Sequence, residues 1–340
     1  MPLVSAAMAG ASGGELAARV TKAGGFGFIG TGYEDVSKLR NELALARTIL
    51  KTPSPSPLKI GVGFLVWTLE KNPQAMELVT AALDERVKAV WLFAGNDLYR
   101  WVEFVRKYDA ERGILADEER TLILVQVNSV EEALKAVEMK VDVISVQGIE
   151  AGGHGHSQAL PLLTLLPTIL RALPAPSPSF PPSTPTPVIL AAGGLTHGSH
   201  LVSLLALGAH GIVIGTRFLL TPSSLYTPAQ KSALAAAPSS ASVRSFAFDA
   251  VRGTTGWPEG VDGRGLKNGI IKDEEEGVDI EERKRRYGES VKSGDVERMV
   301  TWAGASIGLV DRVEEVEDIV NEIHDEAVRS LQATAKLLEQ

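Results

Sequence analysis

The sequence predicts a (β/α)₈ barrel, or TIM barrel, with a small helical lid or insertion near its C-terminus. Short apolar and β-branched runs alternate with segments of helical spacing, and the alternation recurs eight times from residue 1 to about residue 237. Parallel strands joined by crossover helices either close into a barrel or open into a doubly wound sheet, and eight units in that length favour closure. Glycine clusters follow the sixth, seventh and eighth strand candidates, at the end of the barrel where such folds place their chemistry.

Taken in order, the strands are expected near 3–6, 26–29, 60–64, 90–93, 122–127, 141–146, 188–191 and 211–214, each followed by a helix. In the fifth unit LILVQV reads as a buried strand, Ser129 as a helix cap, and Glu132 as the residue that completes a capping box. Two segments break the rhythm. LPAPSPSFPPSTPTP, residues 173–187, is too rich in proline to extend a helix and is expected as a surface loop at the bottom of the barrel. Residues 267–286 run from acidic KDEEEGVDIEE to basic RKRR and read as a solvated loop and helix face. The expected domains are therefore a barrel at 1–225, a lid or insertion at 226–299, and C-terminal helices at 300–340 that pack back on the barrel.

Composition narrows the partners. With 34 basic and 42 acidic residues, for a net charge of -8, the chain has no surplus to neutralise a nucleic acid. It has no cysteine, which removes disulfides, zinc thiolates, iron–sulfur clusters and thiol nucleophiles together. The longest apolar stretch, 159–173, is broken by Pro161 and Pro167 and is too short to span a membrane. MPLVSAAMAGA lacks the basic start and apolar core of a signal peptide, so the chain is read as mature and cytoplasmic. A homodimer is compatible with all of this.

The chemistry should sit in three loops. AAGGLTHG, with Gly193 and Gly194, and IGTRF, with Gly215 and Thr216, lie one βα unit apart and so on neighbouring strands. Glycines there let backbone N–H groups approach an anion, and the positive end of a following helix favours its charge. The plainer reading is two tight turns, but a pair in adjacent loops favours a phosphate cradle. The loop VQGIEAGGHGH carries Gln147, Glu150, His154 and His156 as its only polar side chains. His154 is expected to face the cavity, where imidazole can exchange protons near neutrality, and its roles as base and as simple donor stay equally open.

His154, His156, His197 and His200 fall near one face without a familiar metal-ligand spacing, so no metal is expected. His210 and His324 read as structural or solvated. Met8, Ala9 and Gly10 follow the first strand, where a flat ring could rest. The glycines of GGFGFIG lie on the second strand rather than at a strand-to-helix turn, which rejects a dinucleotide fingerprint in favour of close backbone packing.

MAGASGGELAARVTKAGGFGFIG, QGIEAGGHGH, AAGGLTHGSHLVSLLALGAHGIVIGTRF and RGTTGWPEGVDGR together resemble the nitronate monooxygenase (2-nitropropane dioxygenase) family, in its fungal type. The resemblance implies an FMN-binding barrel that oxidises an alkyl nitronate with dioxygen to a carbonyl compound and nitrite. It implies His154 as the catalytic residue, acting as base or as charge partner. It further implies that Met8, Ala9 and Gly10 line the flavin, Gln126 and Gln147 donate to it, and Gly152 packs against it. Gly194, Ile214, Gly215 and Thr216 would hold its phosphate through backbone amides.

The chain departs from the family pattern at Ala7, where many members carry proline, and at Gly63, where many carry asparagine. Relatives usually have a segment upstream of the first strand. Two alternatives stay open: an FMN-dependent NAD(P)H reductase of quinone or enoyl type, and a catalytically silent barrel that binds flavin or phosphate.

Overall fold

The computed structural model describes residues 1–114, 119–173 and 186–336. The proline-rich loop therefore lies, apart from its ends, outside the described residues, as do the last four positions of the expected C-terminal helices.

Eleven strands are described: β1 (Leu3–Ser5), β2 (Phe28–Gly30), β3 (Leu58–Leu65), β4 (Val87–Phe93), β5 (Leu122–Val127), β6 (Val143–Gln147), β7 (Gly153–His156), β8 (Val188–Ala192), β9 (Gly211–Ile214), β10 (Ser242–Ser245) and β11 (Val261–Leu266). Eight of them form one parallel sheet in the order β1-β9-β8-β6-β5-β4-β3-β2. The ring closes between β1 and β2 through the parallel bridge of Val4 with Phe26, where Ser5 N donates to Phe26 O at 3.0 Å and Phe26 N to Leu3 O at 2.9 Å. This is the expected (β/α)₈ barrel, with strands at the expected places.

Strand alternation sorts the side chains. On β4, Ala89 and Trp91 belong to the cluster inside the barrel with Phe28, Leu124, Leu190 and Val213, whereas Val90 and Leu92 join the larger cluster between strands and helices. The Phe28 and Trp91 rings meet edge to face at 5.2 Å and fill the barrel interior.

Four details differ from the sequence reading. The Ser129 hydroxyl caps its helix by accepting from Glu132 N at 3.1 Å, but the Glu132 carboxylate reaches back to Asn128 N rather than to Ser129 N. Residues 153–156, expected as loop, form β7, which pairs antiparallel with β11 in a second sheet of order β10-β11-β7. Gly-His-Gly-His has no apolar run to announce a strand, and its partner lies about a hundred positions on; the segment expected as a lid is thus woven into the loop after β6. Within the charged run, Asp273 is buried, because Arg286 Nη1 and Arg298 Nε hold its two oxygens at 2.8 and 2.7 Å. Between residues 300 and 315 the described helical structure is the short 3₁₀ turn Ile307–Leu309, and the helix Val316–Ala335 follows. The two glycines of AGASIG disfavour helix there.

The helix Val316–Ala335 docks on the helix Gly198–Ala206. A side chain at Gly198 would overlap the backbone of Ile323 and Ala327, and the Glu326 carboxylate accepts from Gly198 N at 3.0 Å and Ser199 N at 3.3 Å. No described helix is long and apolar enough to cross a membrane.

Candidate active site

A cleft opens at the C-terminal ends of the barrel strands, where such folds place their chemistry. Of the eleven residues that the family resemblance implies as catalytic or cofactor-binding, Met8, Ala9, Gln126, Gln147, Gly152, His154, Gly194, Gly215 and Thr216 line it. Two do not. Gly10 is exposed at the tip of its turn with φ 72°, and Ile214 is wholly buried in the core, its carbonyl accepting from Ala6 N at 2.9 Å.

One end of the cleft is built from backbone. Gly193 and Gly194 sit at φ 118° and 68°, a region that only glycine enters without strain. Among the described residues, the amides of Gly193, Gly194 and Gly215 donate to no protein acceptor. β8 and β9 are hydrogen-bonded neighbours, so these unpaired donors share one rim. The expected help from the helix after β8 is missing: its first amides, those of Gly198 and Ser199, are already taken by Glu326. The anion-binding capacity therefore belongs to the glycine turns themselves. Thr216 Oγ1 accepts from Gly304 N at 2.9 Å, which ties this rim to the segment after β11.

The floor carries a chain of amides whose orientation can be deduced. Asn128 Nδ2 lies 2.8 Å from the backbone carbonyl of Gln147, so it must be the donor end, and its Oδ1 accepts from His156 N at 3.3 Å. The same Nδ2 lies 3.0 Å from Gln147 Oε1, which also accepts from Gln126 Nε2 at 2.8 Å. What remains for a ligand is a donor, the Gln147 NH₂, beside an acceptor, Gln126 Oε1. That pairing suits a planar heterocycle with alternating N–H and C=O groups.

The cleft is also lined by His154, on β7. Its ring stacks on Trp257 with centroids 3.6 Å apart and planes 12° from parallel, and it meets Trp302 edge to face at 4.7 Å. Nε2 lies 2.8 Å from Asp249 Oδ2. Burial pulls the imidazole pKa below its ordinary 6.5, although Asp249 pulls the other way, so the ring is neutral at neutral pH. His156 is turned elsewhere, its Nδ1 accepting from Gln158 N at 3.2 Å. Glu150 serves structure, with its carboxylate on Leu162 N at 3.0 Å at the start of the helix Leu162–Ala172.

His197 and His200 bond within their own loop, to Thr196 Oγ1 and Thr196 N. No group of three or more potential metal ligands occurs among the described residues.

Sequence reasoning missed Tyr33, Asp249, Arg252, Trp257 and Trp302. The Arg252 guanidinium lies over the rings of Tyr33 and Trp302 at 5.6 and 5.7 Å and has no carboxylate partner among the described residues. Burial raises the phenol pKa of Tyr33 and of Tyr226, so both stay protonated beside it. One local signal was available: in SFAFDAVRG an aspartate stands among apolar residues, and an acid in that setting needs a partner.

The family model described as nitronate monooxygenase matches residues 1–326. The nitronate monooxygenase npaC of Metarhizium robertsii is 34% identical, over 96% of this chain and 90% of its own length. A nitronate monooxygenase of Neurospora crassa is 33% identical, over 98% and 91%. The solved structure of a nitroalkane oxidase from Streptomyces ansochromogenes shares the fold, with TM-score 0.76 at 23% identity over 98% of this chain and 97% of that one.

Proposed function

The chain belongs to the nitronate monooxygenase family, and on that premise we propose that it oxidises alkyl nitronates with dioxygen to a carbonyl compound and nitrite, using FMN held in the cleft. One observation carries the reading: the glycines with unpaired amides and His154 line the same cleft. The residues fit the cofactor. The turns at Gly193, Gly194 and Gly215 offer donors to its phosphate, and the Gln126–Gln147 pair offers an acceptor and a donor to the polar edge of its ring.

When bound, the flavin supplies the path by which an electron pair leaves the substrate and reaches dioxygen. The chain supplies the rest. Arg252, between two aromatic faces, places positive charge where an anionic nitronate enters. Trp257 and Trp302 hold the imidazole plane and keep water from it. His154, neutral and within the cavity, donates to or accepts from the nitronate or its parent carbon acid.

The test is the absorption spectrum of the purified protein, then anaerobic mixing with ethylnitronate or propionate-3-nitronate. Bleaching of a yellow chromophore, and FMN identified by mass after denaturation, are expected. A flavin unbleached by either nitronate and bleached by NADH or NADPH replaces this reading with a reductase; one bleached by none of them leaves a silent flavin-binding barrel.

A further inference from the structure

On the reading of His154 just given, we propose that Asp249 is a positioning residue, which holds the imidazole with its proton on Nε2 and leaves Nδ1 as the base that faces the substrate. Asp249 is wholly buried on the helix Ala247–Arg252. Each of its oxygens is occupied: Oδ2 lies 2.8 Å from His154 Nε2, while Oδ1 accepts from Thr254 Oγ1 at 2.7 Å and from Trp257 Nε1 at 3.0 Å. One carboxylate therefore sets both the imidazole edge and the indole plane stacked on it.

An ionised carboxylate accepts and does not donate, so the nitrogen facing it must carry the proton. In a neutral imidazole the other nitrogen then has a free lone pair, and His154 Nδ1 has no protein partner among the described residues. Stability alone does not call for this arrangement, because a buried charged cluster replaced whole by well-packed apolar residues is often neutral or better.

The step that follows is a proton transfer. A carbon acid α to a nitro group loses its proton to Nδ1; the C–H electron pair stays on the substrate as the nitronate, and the imidazolium formed is paired with Asp249. The charged and titratable groups around the ring are Asp249 and Arg252 on the helix Ala247–Arg252, Arg244 on β10, itself 2.6 Å from Asp262 on β11, and the protonated phenols of Tyr33 and Tyr226. Burial, Arg252 and Arg244 lower the imidazole pKa, and Asp249 raises it. Removing its charge must therefore move the pKa further down.

The experiment compares wild type with Asp249→Asn and Thr254→Val, the second keeping the acid and removing one of its supports. Anaerobic flavin reduction is followed with nitroethane, which must lose a proton, and with ethylnitronate, which has already lost it. Asp249→Asn is expected to lower the ratio of the nitroethane rate to the ethylnitronate rate about 100-fold, the scale of a lost general base, and to move the acid limb of the nitroethane pH profile to lower pH. Thr254→Val shifts the same ratio by less.

Long-range ¹H–¹⁵N spectra of histidine-labelled protein read the tautomer independently of turnover: one ring protonated at Nε2 in wild type, losing that preference in Asp249→Asn. Equal losses on both substrates, a wild type that uses ethylnitronate but not nitroethane, or a tautomer unchanged in the variant overturns the proposal. If neither substrate reduces wild type, the proposed activity has failed, and the spectra alone decide whether Asp249 sets the tautomer.

Discussion

The Cβ of Ala7 stands where a Cβ on Gly63 would have to go. Ala7 and Gly63, read from the sequence as departures from the family pattern, thus meet in a single packing contact between the segment after β1 and β3, with Gly63 O also accepting from Thr31 Oγ1 at 2.9 Å. A side chain at 63 must push Ala7 out of the cleft wall. Gly63→Asn is expected to cost about 1–3 kcal/mol, the usual range for overpacking, and to weaken flavin retention. Combining Gly63→Ala with Ala7→Gly restores stability. Urea midpoints at constant m-value check both; a Gly63→Asn protein as stable as wild type shows that the overlap is relieved elsewhere.

Asn128 determines which atoms the floor amides show to a ligand, through its bonds to Gln147 O and Oε1. In Asn128→Asp the donor becomes an acceptor facing two oxygens, so Gln147 must flip or move. Flavin affinity is expected to fall about tenfold or more, and stability by about 1–3 kcal/mol, as for a buried group left unsatisfied. Fluorescence titration of apoprotein with FMN measures the first effect. Unchanged affinity would mean that the ring edge does not rest on this pair.

On the proposed reading Arg252 brings charge to the substrate, and among the described residues it has no carboxylate within ion-pair distance. Arg252→Met keeps the aliphatic bulk and removes the charge. KM for ethylnitronate is expected to rise about tenfold, on the scale of one charge-assisted contact, with kcat changed much less. The salt dependence of kcat/KM should flatten as well. A fall in kcat with KM intact would place the guanidinium in the chemical step instead.

Glu326 binds the C-terminal helix to the barrel. Burial works against its charge, but the Ser199 side chain, the Gly198 and Ser199 amides and His197 outweigh it and hold the carboxyl below its ordinary range. A carboxyl depressed in the folded state contributes stability that is present above its unfolded pKa, about 4.3, and is lost as pH falls through the lower folded value. Glu326→Gln is therefore expected to cost about 0.5–2 kcal/mol near pH 7, as for a lost cap, and to differ little from wild type well below pH 4. Thermal unfolding across pH tests this; a gap that persists in acid would assign the effect to packing.

Local pattern by itself determined the barrel. Each barrel strand announces itself by a few apolar residues, each crossover by helical spacing, and the glycine turns after β8 and β9 by composition, because the forces that form these elements act between residues close in the chain. His154 was legible for the same reason, as one of two histidines in a loop stripped of bulk. Tertiary structure decided what surrounds it. Asp249 lies 95 positions from His154, and β7 becomes a strand only when β11 arrives to pair with it. The capture of the Gly198 and Ser199 amides by Glu326 and the polarity of the Gln126–Gln147 pair likewise depend on contacts between distant segments. Such contacts leave no periodicity in either partner, so only the folded chain brings the donor, the acceptor and the excluded water to one place.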